Sequence, residues 1–290
     1  MATALQQIIH RAFAGYLRYS PFERGKVRMM SALWKPFSFG ENVRETRLLT
    51  GQIRMRCDLS GHVQRSLYFL GRYEEENCEQ WLSLVARSQV VFDLGANAGL
   101  YSLLAAVMNP RVQVHAFEPT PELHATVVGN ARLNGVEGRI TANLAGIGRK
   151  SGQAFINENR GNTGDNDGMN FVSGEATTAG SRPIVLCSLD EYCEEKGITR
   201  IDLMKMDVEG YEAEALIGAQ RLLGQKAIRA IMFEVLGWSA ERAGHTGAEV
   251  LEILWGAGYH LYELRGGRWT KLGPGAARQR DDVFAFAEPL

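Results

Sequence analysis

Cysteine is scarce: four residues, Cys57, Cys78, Cys187 and Cys193, in a chain of 290. None lies in a C-x-x-C pair and no histidine cluster stands beside them, so neither a zinc site nor a disulfide framework is expected. Small buried thiols in a reducing compartment are the simpler expectation. An excess of charge of either sign is lacking too. The formal net charge is −1, so no global field gathers nucleic acid. No apolar run approaches about 18 residues, and neither a membrane-crossing helix nor stable membrane insertion is expected. The N-terminus lacks the apolar stretch and cleavage pattern of a secretory leader, which makes the cytoplasm the expected location.

Apolar residues make up 45% and charged residues 22%, the balance of a globular protein with a core of useful size. The length suggests one large domain, or one domain with an appendage. Residues 1–50 stand apart. They carry eight Lys and Arg (Arg11, Arg18, Arg24, Lys26, Arg28, Lys35, Arg44, Arg47) against three Glu (Glu23, Glu41, Glu45). Leu5, Ile8, Ile9, Phe13 and Leu17 recur at roughly helical spacing. This reads as a basic helical arm that packs on the main domain, residues 51–290, or on a second subunit of a homodimer. A role at a membrane surface or in gathering substrate is the alternative.

After a strand at 53–59, strand and helix signals alternate. A strand at 90–94 leads to a helix at 99–108, stopped by Asn109-Pro110. A strand at 112–117 leads to a helix opened by Thr120-Pro121 and closed by Asn134-Gly135. Strands follow near 139–143 and 154–156. Strand 203–206 precedes a helix ending near residue 224, and strand 230–235 precedes a helix at 248–255. Two last runs, 259–264 and 283–287, have no helix between them and read as an antiparallel hairpin closing one edge. The pattern predicts an α/β fold: a mostly parallel sheet with helices on both faces. Residues 157–182 break the alternation. They are rich in Gly, Asn, Asp, Ser and Thr, and read as a lid facing the substrate, the alternative being an inert insertion.

The densest signal is Asp93-Leu94-Gly95-Ala96-Asn97-Ala98-Gly99, between a buried strand and a helix. There α/β enzymes bend the backbone around a nucleotide-like cofactor. A dinucleotide site needs G-x-G-x-x-G. Here Asn97 holds the second glycine's place, so a pyrophosphate would be poorly cradled. S-adenosylmethionine, which has no phosphate, fits better. Glu118 ends the next strand, 25 residues after Asp93, where a carboxylate can accept from both ribose hydroxyls. Asn143 ends the third strand and can reach the adenine edge. A second cluster, residues 201–212, is an apolar strand ending in Asp207 and Glu209, with Gly210 opening the next helix. Its acids are expected to face the same crevice as Asp93. Lys205, inside that strand, needs a carboxylate partner, because an unpaired buried ammonium is costly.

These residues stand in a recognisable order. With Asp93-Leu-Gly-Ala-Asn-Ala-Gly, Phe117-Glu118-Pro119, Ser188-Leu189-Asp190-Glu191 and Ile201-Asp-Leu-Met-Lys-Met-Asp207-Val-Glu209-Gly210, the chain resembles the FkbM-type S-adenosylmethionine-dependent methyltransferases over residues 90–236. Tyr73-Glu74 resembles a further feature of that family, which adds Glu74 to a cofactor site of Asp93, Gly95, Asn97, Gly99, Glu118, Asn143 and Asp207. The resemblance implies a class I methyltransferase fold, Rossmann-like, with a seven-stranded mostly parallel sheet and an antiparallel last strand, here preceded by the N-terminal helical arm. It also implies methylation of hydroxyl groups on small molecules such as sugars, lipids or natural products. Tyr211, where a small residue is common, departs from the family pattern, as do the long polar loop and the basic arm.

The sulfonium of such a cofactor is an activated methyl donor, so the protein must align the acceptor and take a hydroxyl's proton. Asp207, Glu209 and Glu234 are the candidates. One of them acts as a general base with its pKa raised by neighbouring negative charge, or Asp207 with Glu209 or Glu234 holds Mg²⁺. The metal-free base is favoured. His115 reads as a packed core residue and His124 as an outer-face helix residue. His245 reads as a helix-entry residue, the alternative being contact with the acceptor. The Asn/Asp-Pro-Pro-aromatic turn of adenine-type methyltransferases is replaced by Met206-Asp207-Val208-Glu209, which argues against methylation of nucleic-acid bases. An NAD-dependent oxidoreductase and a non-catalytic partner-binding protein on the same fold are the competing readings.

Overall fold

A computed structural model describes residues 3–49, 52–157, 171–235, 241, 245–274 and 280–290. The described residues form two compact units, one up to Glu75 and one from Glu76 onward. In the first, α1 (Ala4–Tyr19) opens on a capping box. The Thr3 hydroxyl accepts from the Gln6 N–H, and the Gln6 side chain accepts from the Thr3 N–H, which satisfies two donors that a helix start leaves orphaned. Its buried stripe is His10, Phe13 and Leu17. α2 (Lys26–Ser38) buries Met30 and Trp34. The arm does not stay helical to residue 50. β1 (Val43–Arg47) pairs antiparallel with β2 (Arg54–Asp58), and α3 (His62–Leu70) completes the unit. Exposure alternates along β1 with period two, the signature of a strand with one face covered. Two buried polar side chains here find partners in the packing. Arg65 lays its guanidinium 4.8 Å over the Trp34 ring, and His10 joins the Phe37 carbonyl to the Tyr68 hydroxyl, 2.6 Å each.

The second unit is an α/β domain. α4 (Glu75–Val85) leads to β3 (Val90–Leu94), α5 (Leu100–Met108), β4 (Gln113–Phe117), α6 (Pro121–Leu133) and β5 (Ile140–Asn143). The chain then leaves this sheet for β6 (Gly146–Ile147), β7 (Gly152–Asn157), β8 (Phe171–Ser173), β9 (Arg182–Cys187) and α7 (Leu189–Lys196). It returns with β10 (Leu203–Met206), α8 (Glu212–Ile217), α9 (Gln220–Gly224), β11 (Ala230–Val235) and α10 (Gly247–Gly256). β12 (His260–Arg265), β13 (Arg268–Lys271) and β14 (Arg280–Phe286) finish it. The main sheet has the order β13-β12-β14-β11-β10-β3-β4-β5. β11, β10, β3, β4 and β5 are parallel, and β14 runs antiparallel between β11 and β12. These are the seven strands of the class I methyltransferase arrangement, with β13 added at one edge. All four residues of β10 are buried, as expected of a strand covered on both faces. Phe92, Met204, Met206, Ile231 and Phe233 belong to one continuous core with Leu216, Leu222 and Leu254 from the helices.

Two expectations are corrected here. The runs at 259–264 and 283–287 do pair, but they do not form the edge: β14 inserts beside β11, and β13 is the outer strand. β13 is exposed throughout, as a charged edge strand is, so no hydrophobic period marked it. It is held by Trp269, whose ring meets those of Phe284 and Phe286 edge-on at 4.9 and 5.8 Å. The polar segment 157–182 is also not one free loop. Its ends belong to a separate four-stranded sheet, β6-β9-β7-β8, which also takes the strand expected near 154–156. Buried Asn157 donates to Ser173 Oγ at 2.8 Å and accepts from the Thr177 N–H at 2.9 Å. These described polar side chains serve internal hydrogen bonds. Residues 158–170 of the expected lid lie outside the described residues.

Candidate active site at the switch point

β3 is followed in sequence by β4 and β5 on one side of it, whereas β10 returns on the other. The crevice beyond the C-terminal ends of β3 and β10 is therefore the topological switch point, where open α/β sheets take ligands. Register places Lys205 beside Asp93 and Met206 beside Leu94. The two turns that follow press together. Gly95 has φ 77°, and a Cβ there would lie 1.8 Å from the Asp207 carbonyl oxygen. Glycine is thus demanded by the neighbouring turn itself. Gly99, at φ 86°, caps α5.

The turn after β3 carries well-held acids. Asp93 is buried, and its Oδ2 accepts from the Ser102 N–H at 2.9 Å and the Ser102 hydroxyl at 2.6 Å. It thus sits at the N-terminus of α5, where the helix dipole favours negative charge. Asp93 Oδ1 and Asn97 Oδ1 are buried with no donor among the described residues. Burial raises the Asp93 pKa, against the opposing pull of Lys205 and the Ser102 bonds. Glu118, just past β4, accepts from the Asn97 N–H at 3.0 Å on one oxygen and from the Thr120 N–H at 2.9 Å on the other. Burial pushes its pKa up to about 7. Asn143 ends β5 and turns its amide nitrogen onto the Ala116 and Thr141 carbonyls, 3.0 and 3.2 Å. His115 is held by the Tyr192 hydroxyl at 2.8 Å, and burial lowers its pKa to about 4.

The turn after β10 is built differently. Lys205 Nζ donates to Asp207 Oδ2 at 2.7 Å and lies 4.8 Å over the Tyr101 ring, so the buried ammonium has its carboxylate. Glu212 takes the N–H groups of Val208 and Gly210 on a single oxygen, 3.2 Å each, and burial pushes its pKa up to about 7. Between them Glu209 sits at φ 55°, half-buried. Its pKa is driven far above the usual carboxylate range by burial first, then by the negative charges of Asp207, Glu212 and Glu234. Glu234 lies in β11 where the register with β14 shifts, between Phe233 and Val235. Among the described residues, no three His, Cys, Asp or Glu side chains are placed to hold one metal ion. Glu212 and Ser102 escaped the sequence reading. The available signal was an acid or hydroxyl in the first turn of a helix that starts just past a glycine.

Five non-glycine residues among those described have left-handed backbone, and Glu74, Asn97 and Glu209 are three of them. Each was singled out from sequence, and such strain persists mainly where function demands it. Glu74 belongs to the first unit. Tyr211 packs against the apolar face of the small sheet, formed by Ala154, Ile156, Val172, Ile184 and Leu186. That contact explains why a small residue is not found there. His245 has a carboxylate on each ring nitrogen, Glu249 at 2.6 Å and Glu214 at 2.7 Å, and Glu214 also holds Arg149 at 2.8 Å. Burial opposes the charged imidazole, but these hydrogen bonds prevail and raise its pKa. His245 therefore joins α8 to α10.

The methyltransferase FkbM domain family matches residues 93–261. The 31-O-demethyl-FK506 methyltransferase FkbM of Streptomyces tacrolimicus is 30% identical over 155 residues, 45% of this chain and 59% of that protein. The hexuronic acid methyltransferase AglP of Haloferax volcanii is 28% identical over 187 residues, 61% of this chain and 73% of that protein. The 2-O-methyltransferase NoeI of Sinorhizobium fredii is 27% identical over 146 residues, 46% of this chain and 58% of that protein. Among solved structures, a SAM-dependent methyltransferase from Agrobacterium tumefaciens aligns with a TM-score of 0.43 at 12% identity, over 84% of this chain and 69% of that one.

Proposed function

Since this chain belongs to the FkbM methyltransferase family, we propose that it transfers the methyl group of S-adenosylmethionine to a hydroxyl group of a small molecule: a sugar, a lipid or a natural product. One observation carries the cofactor assignment. Asp93 Oδ1 and Asn97 Oδ1 are buried acceptors without a donor among the described residues, and such groups are rare unless a ligand or water completes them. S-adenosylmethionine presents donors to match: an ammonium group, a ribose diol and an adenine amine. Asp93 and Asn97 take the amino-acid end, with Gly95 and Gly99 shaping the turn. Glu118, already fixed by two backbone N–H groups, turns its remaining lone pairs to the diol, and Asn143 borders the adenine. Asp207, whose turn meets that of Gly95, completes the set. The relatives' names, which specify a 31-O-demethyl substrate, a hexuronic acid and a 2-O position, support an oxygen acceptor.

The cofactor, when bound, supplies an activated methyl group. The protein's own task is the acceptor's proton. Lys205 offsets the charge of Asp207, whereas Glu209 stands among like charges that raise its proton affinity. In its ionised form a carboxylate so placed is the stronger proton acceptor. Glu209 in that form takes the hydroxyl proton while Asp207 and Glu234 orient the acceptor. This route uses no metal. Calorimetry with S-adenosylhomocysteine tests the cofactor reading: the chain binds it and does not bind NADH. Absence of S-adenosylhomocysteine binding would falsify it. Turnover that EDTA abolishes and Mg²⁺ restores would replace the carboxylate base with a metal-assisted one.

A further inference from the structure

α1 is apolar on two adjacent faces, and only one of them is covered. His10, Phe13 and Leu17 form the covered stripe. Leu5, Ile8, Ile9, Tyr16 and Tyr19 recur at helical spacing on the next face and are open to solvent, Ile8 at 63% and Tyr19 at 72% exposure. Phe22, just past the helix, is 72% exposed and Val27 in α2 is 51% exposed. An apolar surface this continuous rarely stands open without a partner.

The charge around it says which partner. Between Thr3 and Gly40 the chain has six Lys and Arg against a single Glu, Glu23. That Glu is already paired with Lys26 and Arg72. Arg11, Arg24, Arg28 and Lys35 are exposed, and none has an ion pair among the described residues. A second copy docked on this face would oppose one basic surface with another. An anionic surface complements it. Tyr and other aromatic side chains suit the boundary between lipid headgroups and acyl chains. We propose that the N-terminal unit docks on anionic lipid, α1 lying in the plane of the interface with its open apolar face in the headgroup region and the basic residues on the lipid charge. This is surface binding, in keeping with the fact that no described helix is long and apolar enough to cross a membrane. It does not rest on the methyl-transfer reading.

Sedimentation of the full chain with phosphatidylcholine vesicles, with and without phosphatidylglycerol, tests it. Vesicles containing phosphatidylglycerol should pellet the chain at least about tenfold more effectively than neutral ones, and raised salt should release it. The double variant Ile8→Glu/Tyr19→Glu changes only exposed positions, and its melting curve should match that of the parent while its pelleting is lost. Arg24→Glu/Arg28→Glu should weaken pelleting and leave S-adenosylhomocysteine binding unchanged. Equal pelleting with neutral and anionic vesicles, or none with either, overturns the proposal. So does a concentration-dependent dimer in light scattering that Ile8→Glu/Tyr19→Glu splits, which would make a second copy the occupant.

Discussion

The turns after β3 and β10 touch, yet they treat their acids in opposite ways. After β3 each carboxylate is gripped: Asp93 by Ser102, Glu118 by Asn97 and Thr120. After β10 the grip falls on either side of the central acid. Lys205 holds Asp207 and the turn's own N–H groups hold Glu212, while no hydrogen bond among the described residues holds the carboxylate of Glu209. A site built to bind needs fixed acceptors, and a site built to move a proton needs one group whose proton affinity is tuned by its surroundings. The first turn suits the proposed cofactor cradle and the second the proposed proton transfer.

Glu209→Gln breaks this contrast most severely. It keeps shape and removes the proton acceptor. Turnover should fall by about 10²–10⁴-fold, with S-adenosylhomocysteine affinity within a few-fold of the parent. Equal losses in both would place Glu209 in the cradle instead, and an unchanged rate would pass the base role to Asp207 or Glu234. Gly95→Ala attacks the contact between the turns. With the added Cβ directed 1.8 Å from the Asp207 carbonyl oxygen, both turns must move, and the left-handed backbone adds its own strain. Denaturant melts should show a loss of about 3 kcal/mol or more. A near-parental melt would mean that the turns are not tightly joined.

The contrast between the turns also marks where sequence reasoning stops. Strands β3, β4, β10 and β11 were legible because a run of buried apolar residues followed by an acid is a local pattern. Asp93, Glu118, Asp207, Glu209 and Glu234 all lie at or near the ends of such runs. The grip on them was not legible. Ser102 and Glu212 act through hydrogen bonds that exist only once a turn has closed, and their residue types are ordinary at a helix start. The insertion of β14 between β11 and β12 depends on a pairing of distant segments, which periodicity does not encode. β8 is only three residues long within a polar segment, and β13 is short and exposed, so both looked like loop. Tyr211 drew notice as a departure, but its partner face lies on a sheet that the sequence did not announce.

Glu118→Ala sharpens the cradle side. Removing the carboxylate proposed to accept from the ribose diol should weaken S-adenosylhomocysteine binding by about 1–3 kcal/mol, read by calorimetry, with little change in maximal turnover once cofactor saturates. An unchanged affinity would end the ribose assignment. The variant should also change how stability depends on pH. The folded Glu118 pKa is about 7 against an ordinary 4.5, so below pH 4.5 both states hold the proton and nothing is lost. Between 4.5 and 7 the unfolded chain releases the proton that the fold retains, and stability declines by about 3 kcal/mol from this group. The alanine variant should show a shallower decline. Asp93 and Glu212, raised in the same direction, maintain the rest.

The smallest effect follows from the same carboxyl group and joins its burial to its binding role. In the proposed ribose contact, two hydroxyls donating to Glu118 favour its ionised form. Near pH 6 most of the free protein carries a proton there that must be expelled on binding, and near pH 8 most does not. S-adenosylhomocysteine affinity should therefore rise by about tenfold at most between pH 6 and 8, with proton release that vanishes in the alanine variant. Calorimetry in buffers of different ionisation enthalpy counts that proton directly. A flat pH profile with normal affinity would mean that the bound cofactor leaves Glu118 protonated, and the ribose would then be held by the carboxylic acid.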